Sequence, residues 1–306
     1  MAGAAETFPL VPRYRLVGLS FGGMRSARRG IGDDVAGSRE YRPGDDVDLI
    51  DWNASARRSS ARATDEFVVR QTFADEAPRV VVLCDRRPAM AHFAPPLPWL
   101  DKAAALRETC RVICSSASSS RGLVGYLDLG DGEPFWRPPK SDRELWEIEE
   151  RQLKAPFRAP ADSIERGLDH LSQHRTGLPS GSFVFVLSDF LAPPPEEAWH
   201  RALGRRWDVV PVVIQDPVWE QSFPDVGRLV VPYLDPSGGG IAHVRLTRRE
   251  ASAKRTANEA RLESLLAGLA GLGLDPVLVS SSEPAPILDG FVAWAADRFD
   301  RRGGPW

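Results

Sequence analysis

The chain has 306 residues, is 42% apolar and 26% charged, and carries nine tryptophans, a composition that excludes intrinsic disorder and suits one large domain with a smaller appendage. Its net charge of −3 supplies no bulk field for a polyanion, so a nucleic-acid partner is not expected. Among the 39 basic residues only Lys102, Lys140, Lys154 and Lys254 are lysines; the positive charge is nearly all guanidinium, suited to bidentate pairing with carboxylates.

The three cysteines, Cys84, Cys110 and Cys114, cannot all pair, and two of them stand one helical turn apart, so a reducing compartment fits better than a disulfide framework. The opening "MAGAAETFPLVPRYRLVGL" has no basic region leading into a continuous apolar stretch, so no signal peptide is expected. No window approaches the roughly 18 uninterrupted apolar residues of a membrane span. The expectation is a cytoplasmic protein without an integral membrane segment.

In chain order, residues 1–77 read as a segment dense in ion pairs, with 11 arginines and 12 acids before Pro78, a composition that does not predict a large core of its own. From 78 to 306 strands and helices alternate. "RVVVLCD" (79–85) is a β-branched run ending in an acid, as in a strand buried on both faces of a parallel sheet. Residues 97–117 predict a helix, with Leu97, Leu100, Ala104, Val112 and Ile113 near one stripe. "GLVGYLDL" (122–129) predicts a strand, "PFWRP" its antiparallel return, and 141–153 and 162–174 two helices. "SFVFVLSDF" (182–190) is the clearest strand; "WDVVPVVIQD" (207–216) is another, pushed by Pro211 toward an edge or an interrupted ladder. Two strands around a glycine-rich turn follow in 227–246. A long helix over 248–271, the strand "DPVLVS" and a closing helix complete the chain. Helical crossovers between strands predict an open, mostly parallel α/β sheet with helices on both faces, of Rossmann type.

In such sheets ligands bind at the carboxyl ends of the strands, where Asp85 and Asp189 would lie. Two strands each ending in Asp resemble the von Willebrand factor A domain. That resemblance implies a Mg²⁺ site built from a D-x-S-x-S loop, a threonine and a later aspartate, because a hard cation takes hydroxyl, water and carboxylate oxygens. Here the loop reads Asp85-Arg86-Arg87-Pro88-Ala89 and lacks both serines, and Ser163 stands nearest the threonine's place. A degenerate metal site is therefore expected, with Arg86 or Arg87 neutralising Asp85 and Asp189. A Mg²⁺- or Mn²⁺-dependent binder or hydrolase using Asp85, Ser163 and Asp189 is the alternative. No nucleotide or redox fingerprint is present, and no other cofactor is expected.

The most specific stretch is "REYRPGDDVDLIDWNASAR" (39–57). It sets five acids against Arg39, Arg42 and Arg57 and separates them with turn residues and aromatics. Pro43 and Gly44 are turn chemistry, and Asp51 or Asn53 suits a helix start. With no histidine within thirty residues, the acids read as internal ion pairs, not catalysts. The stretch resembles the DUF58 family through Arg39, Tyr41, Gly44, Asp45, Asp46, Ile50, Asp51, Trp52, Ser55, Ala56 and Arg57, and similarity continues through Lys102 to the 227–246 hairpin. The resemblance implies a signature segment (1–77) packed on a von Willebrand A-like domain (78–306). It also implies a non-enzymatic adaptor for a MoxR-type AAA+ ATPase, acting in chaperone-like assembly or maturation of protein complexes, with other von Willebrand A-domain proteins as further partners. The signature residues would then dock the partner.

Smaller signals point to packing. His170 and His174 are one turn apart without a third ligand, so they read as exposed helix histidines. Cys110 and Cys114 read as apolar fillers. Trp199, Trp207 and Trp219 read as core or sheet-edge residues.

Overall fold

The computed structural model describes residues 7–13, 35–40, 50–52, 55–56, 67–72, 77–91, 99–140, 145–173, 178–234 and 241–301. The chain divides into two compact units, Met1–Arg13 with Arg79–Trp306, and Tyr14–Pro78.

The large unit is built on a six-stranded sheet. Its strands are β3 (Arg79–Cys84), β4 (Leu123–Asp128), β5 (Phe135–Lys140), β6 (Phe183–Ser188), β7 (Asp208–Ile214) and β10 (Val277–Val279), in the order β10-β7-β6-β3-β4-β5. All neighbours are parallel except β5, which returns antiparallel along β4. This is the doubly wound order expected of a Rossmann-type, von Willebrand A-like sheet, with its switch between β3 and β6. Strands β6 and β7 are buried at every residue, which is why their sequences are continuous apolar runs and not alternations.

Helices α1 (Lys102–Ser119) and α6 (Pro284–Arg301) pack on one face of the sheet. On the other, α3 (Ser163–Gln173), α4 (Glu196–Leu203) and the leucines of α5 (Arg248–Gly271) close a core around Val81, Leu83, Val184, Val186 and Val213. A Cβ at Gly167 of α3 would come within 2.7 Å of a Leu83 methyl, so glycine lets that helix sit directly on β3. Helix α2 (Leu145–Lys154) follows the edge hairpin, in which a Cβ at Gly125 would stand 2.9 Å from the Pro139 nitrogen. The hairpin β8 (Leu229–Leu234) and β9 (Ile241–Leu246) forms a separate two-stranded sheet around a small core of Phe223, Val231 and Ala251.

Residues 7–13 are a strap over the large unit. Phe8 is buried and stacks on Phe291 at 4.6 Å between centroids, with Trp294 edge-on at 6.0 Å. Its amide donates to Ser116 Oγ at 3.1 Å. Farther along, the Val11 carbonyl accepts from Arg298 at 3.0 Å and the Arg13 amide donates to Asp208 Oδ2 at 2.7 Å.

Several details differ from the sequence expectation. Helix α1 starts at Lys102, not 97, because the Asp101 carboxylate caps it by accepting from the Ala104 amide at 2.9 Å. Pro211 lies in an interior strand, paired with Val186; the short β10 starts opposite Val212, so on that side the ladder begins after the proline. His170 is half-buried against Trp136, 6.1 Å between rings, and not exposed; His174 lies outside the described residues. Trp199 and Trp207 are core residues. Among the described residues no helix is long and apolar enough to cross a membrane.

In the smaller unit, β1 (Val35–Glu40) pairs antiparallel with β2 (Val68–Thr72).

Candidate functional site

Each of the four central parallel strands delivers an aspartate to the carboxyl edge of the sheet: Asp85 after β3, Asp128 at the end of β4, Asp189 after β6 and Asp216 just beyond β7. All four are buried. Carboxylates at such depth persist as ions only when charges or several donors meet them, and here each has a different answer.

Asp85 is met by its own loop. Arg87 donates from Nε to Asp85 Oδ2 at 2.8 Å and from its amide to Oδ1 at 2.9 Å. Ser188 Oγ donates to Oδ2 at 2.7 Å and in turn accepts from Arg87 at 3.1 Å. The same guanidinium reaches Asp189 Oδ1 at 3.6 Å and donates to the Ala192 carbonyl at 3.0 Å. Burial would lower the Arg87 pKa, but the hydrogen bond and charge of Asp85, followed by Asp189, raise it above the ordinary arginine value.

Asp189 is met by Lys102, the first residue of α1, at 3.0 Å on Oδ2; the ammonium also donates to Glu220 Oε1 at 2.7 Å. Burial opposes the charge on Lys102, and the two carboxylates outweigh it, so its pKa lies above the usual lysine value. Among the described residues Asp216 has no cation. It accepts four backbone amides instead, from Trp99 and Leu100 on Oδ2 and from Val218 and Trp219 on Oδ1, at 2.7 to 3.0 Å. Asp128 accepts a two-pronged contact from Arg151 at 2.9 and 2.6 Å and the Tyr126 hydroxyl at 2.8 Å.

Arg86 turns away from Asp85. It is buried and donates to the Ala155 carbonyl at 3.0 Å and to Gln152 Oε1 at 2.7 Å, and its guanidinium carbon stands 4.8 Å over the Phe157 ring. Of the two loop arginines, Arg87 is thus the one joining Asp85 to Asp189. Ala89 lies in a short 3-10 turn, Pro88–Ala91. Ser163 opens α3, is buried, and its Oγ has no hydrogen-bond partner among the described residues. Phe190, between Asp189 and Leu191, holds φ at 47° while buried. That backbone is costly for a bulky residue and persists only where its surroundings over-determine it. Ser188 Oγ accepts the Phe190 amide at 3.0 Å, and Gln215 donates to the Asp189 carbonyl at 2.6 Å.

These residues do not fit a divalent cation. A hard ion needs open oxygen ligands around it, and the facing oxygens of Asp85 and Asp189 already carry a guanidinium and an ammonium. Among the described residues no group of three or more His, Cys, Asp or Glu side chains is arranged to hold a metal.

The signature residues lie in the smaller unit. Ile50 and Ser55 are buried, Asp51 is half-buried and Trp52 is exposed. The Asp51 amide donates to the Val68 carbonyl at 2.8 Å; Ser55 Oγ donates to the Asp51 carbonyl at 2.7 Å and accepts the Val68 amide at 2.8 Å. Asp51 and Ser55 thereby fix the start of β2, and Trp52 meets Phe67 edge to face at 5.9 Å. Arg39 contributes backbone to β1. Tyr41, Gly44, Asp45, Asp46 and Arg57 lie outside the described residues.

The profile of the family described as "Protein of unknown function DUF58" matches residues 37–263, running from the signature through the carboxyl-edge aspartates. The chain belongs to the DUF58 family. It is 25% identical over 237 residues to the uncharacterized proteins Rv1480 of Mycobacterium tuberculosis and Mb1516 of Mycobacterium bovis, covering 76% of this chain and 70% of each relative. Among solved structures it is similar to BatB of Bacteroides thetaiotaomicron, with a TM-score of 0.42 and 14% identity over 72% of this chain and 99% of that one. An aerotolerance-related membrane protein of Bacteroides fragilis gives a TM-score of 0.37 and 11% identity, over 63% and 99% of the two chains.

Within this DUF58 chain the sequence singled out Asp85, Arg87 and Asp189, which the fold brings together. It assigned no site role to Lys102, Glu220, Asp128, Asp216 or Arg151. The strand-final acids Asp128 and Asp216 carried the same pattern as Asp85 and were readable from it. Glu220 carried no signal, since it meets Lys102 only through the loop after β7.

Proposed function

We propose that this DUF58 protein is a non-enzymatic interaction module that serves a MoxR-type AAA+ ATPase as an adaptor in the assembly or maturation of other protein complexes. The observation that carries the reading is the aromatic pair that the signature residue Trp52 makes with Phe67. Trp52 is 62% exposed and Phe67 45% exposed, yet the hydrogen bonds joining Asp51, Ser55 and Val68 fix the backbone that carries them. Rigid, solvent-facing aromatics of this kind are the residues that anchor protein interfaces. The internally paired carboxyl edge agrees with a binding role, because its acids are committed to structural partners.

The test is co-purification of the full chain with a MoxR-type ATPase, together with ATPase turnover with and without the chain. Complex formation and altered turnover are expected. Trp52→Ala should weaken binding by about tenfold or more while lowering folding stability by only about 1 kcal/mol, the scale of a lost aromatic pair. Absence of binding together with unchanged turnover would overturn the reading.

A further inference from the structure

We propose that Arg87 and Lys102 are resident cations that take the place of a divalent metal at the carboxyl edge, making this site metal-independent by construction. Three observations carry the inference. The two side chains bring two unit positive charges, the charge of one divalent ion, to the facing oxygens of Asp85 and Asp189 at 2.7 to 3.6 Å. They come from different elements, the loop after β3 and the start of α1, and both are almost wholly enclosed, with side chains 10% and 6% exposed.

Neither cation is free to swing aside. Arg87 is held at Nε and its amide by Asp85 and at Nη1 by Ala192, and Lys102 is held between Asp189 and Glu220. Asp189 is itself fixed by the αL backbone of Phe190 and by Gln215. A metal entering here would have to displace a guanidinium hydrogen-bonded to Asp85 and an ammonium hydrogen-bonded to Asp189. Ser188 Oγ, a ready hard-ion ligand, is likewise committed, donating to Asp85 and accepting from Arg87.

The arrangement is also reversible by design. Arg87 and Ala89 stand two and four residues after Asp85, so Arg87→Ser with Ala89→Ser, joined by Lys102→Met, removes both cations and places hydroxyls at the D-x-S-x-S spacing that the von Willebrand A resemblance implies for a hard cation.

The experiment follows thermal unfolding of the metal-stripped full chain and of R87S/A89S/K102M, each in chelator and in millimolar Mn²⁺. The unsubstituted chain should unfold at one temperature in both conditions. In chelator the variant should unfold lower by on the order of 10 °C, the effect of stranding buried carboxylates. Mn²⁺ at ten times its dissociation constant should then raise the variant by about 3–6 °C. A saturable Mn²⁺-dependent rise in the unsubstituted chain overturns the proposal, and that measurement stands even where the variant fails to fold. A variant that unfolds with the unsubstituted chain in chelator, or that is destabilised but indifferent to Mn²⁺, overturns it as well.

Discussion

The two ends of the central sheet bury aspartate against a basic side chain in the same way and to different effect. At the amino end, Asp208 opens β7 and receives Arg298 of α6 on both oxygens, at 2.9 and 3.0 Å, together with the Arg13 amide. Arg298 also donates to Asp275 and to the Val11 carbonyl. One guanidinium thus ties the strap, the closing helix and the sheet together. At the carboxyl end the cations come from separate elements, Arg87 from the loop after β3, Lys102 from the start of α1 and Arg151 from α2. Phe190 is buried with positive φ, whereas the other non-glycine residues of positive φ among those described, Arg121, Arg206 and Arg228, are exposed. Arg86 Nε and Gln215 Oε1 are buried without hydrogen-bond partners. The difference separates a lock, one guanidinium pairing with acids and the strap, from a site, where a buried residue of positive φ stands beside Asp189.

The largest expected effect breaks the lock. Arg298→Ala strands Asp208 at the amino end and should cost about 3–5 kcal/mol, read as a lower midpoint in urea. Next, Phe8→Ala removes the strap's anchor from between Phe291 and Trp294 and should cost about 3 kcal/mol. If the strap is only a tether, this substitution will leave the midpoint unchanged.

An alkaline titration sharpens the contrast between the ends. Lys102 has a raised pKa, so its stabilising contribution is fully present below the usual lysine value and is lost as pH rises through the raised one. The amino end uses a guanidinium, which does not deprotonate in proteins. Lys102→Met should therefore flatten the alkaline fall in stability, and Arg298→Ala should leave its shape unaltered.

A control remote from both ends has the smallest effect. Thr247 and Glu250 form a capping box at the start of α5, and Thr247→Ala should cost about 1 kcal/mol. The Thr247 amide, and then its hydroxyl, lower the Glu250 pKa. Its contribution is present above the ordinary carboxylate value and disappears as pH falls through the lowered one. A circular-dichroism melt at acidic pH should show the gap between Thr247→Ala and the unsubstituted chain narrowing, with the part due to the Thr247 hydroxyl accepting the Glu250 amide persisting.

Chemical access gives a further check on the core. Cys84, Cys110 and Cys114 are buried and unpaired. Burial, then the Cys110 thiol, raises the Cys84 pKa, while the Cys114 thiol, ahead of burial, raises that of Cys110. A thiol reagent should modify none of the three until the chain unfolds; rapid labelling of the native protein would contradict this packing.

Much of the fold was legible because buried parallel strands write themselves as β-branched runs and helices as periodic ones. The span 248–271 matched α5 at both ends, since Thr247 caps one and glycines close the other. The sequence reading contains no helix at α4, which has only eight residues and follows three prolines. The strap left no trace in the pattern, because Phe8 finds its partners more than a hundred residues away. For the same reason Asp85 and Arg87 were readable as neighbours in sequence, while the pairing of Lys102 with Asp189 and Glu220 was not. Long-range charge pairing follows from topology, and topology is not periodic.

The most direct test of the carboxyl end's closure is a Mn²⁺ titration of the metal-stripped full chain, followed by the paramagnetic resonance signal of the free ion. Full signal at every addition, equal to buffer alone, is the predicted result. Loss of signal saturating at one ion per chain would contradict the account, because Arg87 and Lys102 would then have yielded their place to a metal.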